Sequence, residues 1–110
     1  MQTAVTTIQP DGSRTTATHE LPPEPGLRAL RGVLGPIFAG ADFEHVAVLH
    51  EGRRTDMFVD ENGHAKGLTR NDAGTAIYRA NAMRQDPTQD PEALPFIVGP
   101  VALFDRRVWF

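Results

Sequence analysis

The chain contains no cysteine, one lysine (Lys66), one serine (Ser13), one tyrosine (Tyr78) and one tryptophan (Trp109). Without cysteine there are no disulfides, thiolate metal sites, iron–sulfur clusters or cysteine nucleophiles. Small secreted domains often depend on bridges, so their absence points to the cytoplasm. An excess of one charge is also missing. The 11 basic and 14 acidic side chains leave a net −3, which gives no global field to attract nucleic acid or anionic lipid. The longest apolar run, Phe96 to Phe104, is far shorter than the roughly 20 residues of a membrane span. The opening MQTAVTTIQPDGSR has neither the basic nor the apolar region of a secretory signal. The expectation is a soluble protein with no membrane partner.

What is present fits a single globular domain over residues 1–110. Six of the nine prolines cluster at Pro22, Pro23, Pro25 and at Pro87, Pro91, Pro95, marking two irregular connections. Thr3 to Gln9 and Arg14 to Glu20 are threonine-rich and flank Pro10-Asp11-Gly12-Ser13, which predicts an edge β-hairpin over 1–20. Leu27, Leu30, Val33, Leu34 and Ile37 form one helical stripe, so a helix is expected over 26–35, closed by Gly35-Pro36.

Residues 43–68 read as a three-stranded antiparallel meander. His45 to His50 runs into a turn at Glu51-Gly52-Arg53-Arg54, and Asp56 to Asp60 returns, with Asp56, Phe58 and Asp60 on one face. Asn62-Gly63 is the strongest hairpin signal, with His64 to Leu68 as the last strand. A helix over 69–84 follows, with Thr69 to Asp72 fitting a capping box and Ala73, Ala76, Ile77, Ala80 and Met83 as its apolar stripe. The run 96–104 is apolar throughout, as in a strand covered on both faces, with a bulge or bend at Gly99-Pro100. The fold class expected is α+β: an antiparallel sheet of about five to six strands with two helices on one face, in the order ββ-α-βββ-α-β.

Reactive chemistry finds little footing. Ser13 lies in a turn, and no Gly-x-Ser-x-Gly accompanies it. His45 and His50 are five apart, on opposite faces of one strand. His50 and His64 would meet only across the meander, near Asp56 or Asp60. Asp60-x-Asn62 begins like a calcium loop, but Ala65 occupies the glycine position. Neither phosphate-binding glycine motif occurs. No cofactor, metal site or catalytic residue is expected.

Two surfaces remain. Arg53, Arg54, Lys66 and Arg70, with Arg79 and Arg84, give six basic residues between 53 and 84. They face four acidic ones there (Asp56, Asp60, Glu61, Asp72), and Arg106-Arg107-Trp109 adds a basic–aromatic cluster able to meet phosphates and bases. Arg106, Arg107, Val108, Trp109 and Phe110 also make the best candidate protein interface, because Trp and Arg dominate binding energies. That holds if Trp109 is exposed rather than folded onto the core.

Val59-Asp60-Glu61-Asn62-Gly63, Lys66-Gly67-Leu68, Asn71, the small-residue helix through Ala76-Ile77-Tyr78-Arg79 and Ile97-Val98-Gly99-Pro100 form a series. It resembles a family of small uncharacterised proteins of phages, plasmids and other mobile elements. The resemblance spans about 40 residues and implies fold more than chemistry. The function expected is a non-enzymatic protein-interaction module, an accessory protein of such an element that binds a protein partner or itself as a homodimer. The alternative is a nucleic-acid-associated factor.

Overall fold

β-Branched residues suit a pleated surface, and in the computed structural model, which describes residues 1–110, the opening threonines and valines form strands. β1 (Gln2–Ile8) pairs antiparallel with β2 (Arg14–Glu20), Ile8 opposite Arg14. Gly12 turns the chain with φ +88°, and Asp11 Oδ1 accepts the Ser13 N–H at 2.9 Å. Hydrogen bonds from the Ser13 side chain and backbone hold the Asp11 carboxyl below its ordinary range. The only serine thus serves a turn.

α1 (Gly26–Leu34) buries Leu30, Val33 and Leu34 and leaves Leu27, at the start of the stripe, exposed. β3 (Phe43–His50) and β4 (Arg53–Asp60) follow, joined by Glu51-Gly52 alone. These two residues have φ +53° and +74°, the paired positive values of a type I′ turn. α2 (Asp72–Gln85), a 3₁₀ turn at Pro91–Ala93 and β5 (Val101–Phe104) complete the chain. The five strands form one antiparallel sheet in the order β2-β1-β5-β4-β3. No helix is long and apolar enough to cross a membrane.

The α+β class holds, and the element order holds except for one strand. The expected strand His64 to Leu68 does not form; residues 61–67 are a succession of turns. The place beside β4 is taken by β5, which pairs Met57, Phe58 and Val59 with Leu103, Ala102 and Val101. Four consecutive apolar residues outcompete a polar return strand for that central slot. Gly63 accordingly has no positive φ and is no hairpin tip. It is required for another reason: a Cβ there would lie 2.8 Å from Val98 Cγ2. The last apolar run is a strand only from Val101, because Gly99 bends the chain with φ +76°.

The helices lie on opposite faces of the sheet, correcting the expectation of one shared face. α1 packs with Val5, Phe58, Ala102, Phe104 and Val108. Alternate residues of the same strands, Met57, Val59, Val101 and Leu103, point the other way and pack with Ala73, Ile77 and Tyr78 of α2. An all-apolar central strand needs cover on both sides, and one helix per face supplies it.

The cap of α2 is Asn71 rather than Thr69: its Oδ1 accepts the Gly74 N–H at 2.9 Å. The helix is also rotated from the expected stripe, with Ala76 and Ala80 exposed and Gly74 and Thr75 buried. Polar side chains set this orientation. Thr75 Oγ1 accepts the Ile97 N–H at 2.9 Å. Asn81 accepts the Leu49 N–H and donates to the Ala47 carbonyl, covering the outer edge of β3.

Gly74 lets the helix approach, since a Cβ there would lie 2.7 Å from Val101 Cγ2. Helix propensity alone would favour Gly74→Ala by about 1 kcal/mol. Overpacking against a central strand costs about 1–3 kcal/mol and is expected to win. Urea denaturation is expected to show net destabilisation for G74A and, at exposed Gly32 of α1, where a Cβ meets nothing within 4 Å, a gain for G32A.

Candidate interaction site

Strand alternation places Asp56 on the α1 face of β4 beside Phe58, where a carboxylate has no access to water. Its charge is met by three donors or ring nitrogens. Asp56 Oδ2 accepts the backbone N–H groups of Val108 and Trp109 at 2.7 and 2.8 Å. Asp56 Oδ1 lies 2.6 Å from His45 Nε2. Buried charge is tolerated only when paired and hydrogen-bonded, and this one fastens residues 105–110 back onto the sheet.

Arg106 completes the fastening. Its Nε donates to Thr3 Oγ1, and its two terminal nitrogens donate to the carbonyls of Pro22, Pro23 and Arg107 at 2.9–3.0 Å. Thr55 Oγ1 donates to the Phe104 and Arg106 carbonyls. The guanidinium is therefore spent on the protein itself and is not offered to a phosphate. Val108 is buried among α1 and the sheet. Of the five residues expected to form an interface, Arg106 and Val108 are thus structural, and Arg107, Trp109 and Phe110 stay at the surface.

Trp109 both folds back and remains accessible. Its ring stacks on His45 with centroids 5.1 Å apart and planes 17° apart, and meets Phe58 edge-on at 5.9 Å. A 37% fraction of the residue is still exposed, beside Leu27 at 46% and Phe110 at 60%. Arg107 lies over the Phe110 ring at 4.7 Å. Leu27 and the indole help to line two hollows. The larger, about 500 Å³, is walled by Leu27, Phe43 and Trp109 and rimmed by Arg31, Asp42 and Glu61. The smaller, about 310 Å³, lies between the start of α1 and Val108 to Phe110, with Glu24 at its margin.

The basic residues considered for nucleic acid do not converge. Lys66 Nζ is 2.7 Å from the buried Asp60 carboxylate, and Arg70 pairs with Asp72 at 3.0 Å and lies over the Phe96 ring. Arg53 and Arg54 sit at the other end of β4, roughly 20 Å along the strand from Asp60, on opposite faces. Arg53 donates to the Asp105 carbonyl. His50 and His64 are likewise apart: His50 lies 3.7 Å from Glu51, and His64 hydrogen-bonds the Phe96 carbonyl at 2.9 Å. With β5 beside β4, no return strand exists to bring the two imidazoles together.

The residues that build this site were only partly visible in the sequence. Trp109 and Phe110 stood out by type. The Asp56–His45 pair did not, although the alternation that groups Asp56 with Phe58 was a sign that the carboxylate faces inward. No family model, curated protein or solved structure matches the chain.

Proposed function

We propose that the chain is a non-enzymatic protein-interaction module whose contact surface is the groove formed by Leu27, Trp109 and Phe110. One observation carries this reading: Leu27 of α1 stands exposed with Trp109 and Phe110 beside two hollows, the latter two on a segment anchored by a buried carboxylate. Exposed aromatic residues held rigidly lose little entropy on binding, which is what an energetic anchor requires. The charged groups lining the hollows are Glu24, Asp42 and Glu61 against Arg31. Acidic side chains beside exposed apolar ones favour a peptide segment that presents an aliphatic or aromatic anchor flanked by Lys or Arg. A role as an accessory protein of a mobile element rests on the sequence resemblance alone.

Panning a random peptide display library on the immobilised chain tests the assignment. The expected consensus is one apolar anchor with at least one neighbouring basic residue. Its binding should drop about tenfold or more in Leu27→Asp, a substitution at an exposed position that leaves the core intact. Equal enrichment on wild type and L27D, or a consensus without a basic residue, overturns the proposal. Salt-sensitive retention on single-stranded DNA that survives L27D would instead favour nucleic acid.

A further inference from the structure

The two edges of the sheet are treated differently. On β3, Asn81 supplies an N–H₂ and a carbonyl oxygen to the outward backbone groups of Ala47 and Leu49. On β2 no side chain does so, and six of its seven residues are exposed. The backbone bonds Leu21 N–H to Met1 O and Gln9 N–H to Ser13 O show that odd-numbered residues of this hairpin face inward. The N–H and C=O groups of Arg14, Thr16, Thr18 and Glu20 therefore point away from β1. An open edge of this length is a template for another strand.

We propose that β2 pairs with β2 of a second copy of the chain, antiparallel about a two-fold axis at Ala17, making a continuous ten-stranded sheet. The residues of Arg14–Glu20 choose this occupant and this register. Pairing about Ala17 sets Arg14 opposite Glu20 of the second copy, twice by symmetry, and Thr16 opposite Thr18. It is the register that overlaps all seven residues, and it joins the outward-facing groups through about eight backbone hydrogen bonds. Opposite charges facing each other across strands stabilise the pairing, whereas like charges oppose it. Arg14 makes no ion pair within the chain. Glu20 holds the Met1 amine at 2.7 Å and Gln2 Nε2 at 2.8 Å, and a carboxylate has about four acceptor sites, enough for a guanidinium as well. At the axis Ala17 meets its own copy as a non-hydrogen-bonded pair, the closest spacing in a ladder, where a small side chain fits. This surface lies apart from the Leu27–Trp109 groove and does not depend on it.

Sedimentation equilibrium across a range of concentrations gives the test. The wild-type mass is expected to rise from 12.1 kDa toward twice that value. Thr18→Pro removes one outward N–H that β1 does not use and is expected to abolish the rise with the monomer's melting unchanged. R14E places carboxylates at both ends of β2, and E20R places guanidiniums at both. Each alone is expected to weaken dimerisation about tenfold, and a 1:1 mixture of the two is expected to restore it. Because the chain has no other thiol, mild oxidation of A17C is expected to give a covalent dimer, while D11C, in the hairpin loop, does not. A chain that stays monomeric at about 1 mM, or a dimer that survives T18P, overturns the proposal. Loss of the dimer in L27D would place self-association in the groove instead and would also overturn it.

Discussion

Asp56→Ala is expected to cost about 3 kcal/mol, because it leaves two backbone N–H groups and His45 without their shared partner. That is a large share of the ~5–15 kcal/mol that holds a domain of this size folded. The loss should be local first. Val108 and Trp109 owe their position to the carboxylate, so their amides are expected to exchange rapidly in the variant even where the sheet remains protected. Trp109 is the only tryptophan, and its emission is expected to shift to the red as the ring leaves His45 and Phe58. Asp56→Asn separates shape from charge. Its amide oxygen can still accept both N–H groups while its N–H₂ faces His45 Nε2, so it is expected to lose only about 1 kcal/mol. Unchanged exchange at Val108 and Trp109 in D56A would show that the segment is held by something else. Both variants bear on the proposed groove, since a loosened indole no longer presents a fixed wall.

Asn71→Asp is expected to be as damaging as Asn71→Ala, about 3–4 kcal/mol each, although Asn and Asp are equally good helix caps at an exposed position. The reason lies in the second half of the side chain. Asn71 is fully buried, and its Nδ2 donates to the Ile8 and Gly99 carbonyls at 2.9 Å each. Alanine removes the cap and orphans both carbonyls. Aspartate keeps the cap acceptor but turns a charged oxygen toward the same two carbonyls, where burial and repulsion both oppose it. Urea denaturation of the three chains decides the matter: N71D matching wild type would reduce Asn71 to a cap. The residue ties the end of β1, the bend before β5 and the start of α2 together at one point. It is the most constrained polar position away from the Asp56 cluster.

Much of the local structure could be read from residue types because it rests on short-range physics. Gly12 and Gly52 turn where positive φ is needed, and Leu30, Val33 and Leu34 repeat at a helix's period. The capping residue of α2 was misplaced because Thr69 and Asn71 are both competent caps by type. The choice falls to whichever side chain also has buried carbonyls to satisfy. The return strand was misplaced for a similar reason: Asn62-Gly63 is a strong turn signal, but a turn does not specify which strand fills the neighbouring slot. The apolar run Val101–Phe104 already implied cover on both faces, a condition that two helices on one side do not meet.

By itself, the sequence determined the class of fold, the hairpin and helix positions, and the absence of thiols and of phosphate-loop motifs, because each follows from residue identity and spacing within a few positions. Tertiary structure alone decided that β5 inserts between β1 and β4, that the helices take opposite faces, and that Asp56 reaches across 53 residues to hold Trp109 half in the surface. Those outcomes depend on competition for burial and for hydrogen-bond partners between segments far apart in the chain. Such competition is settled only when all the segments are packed together.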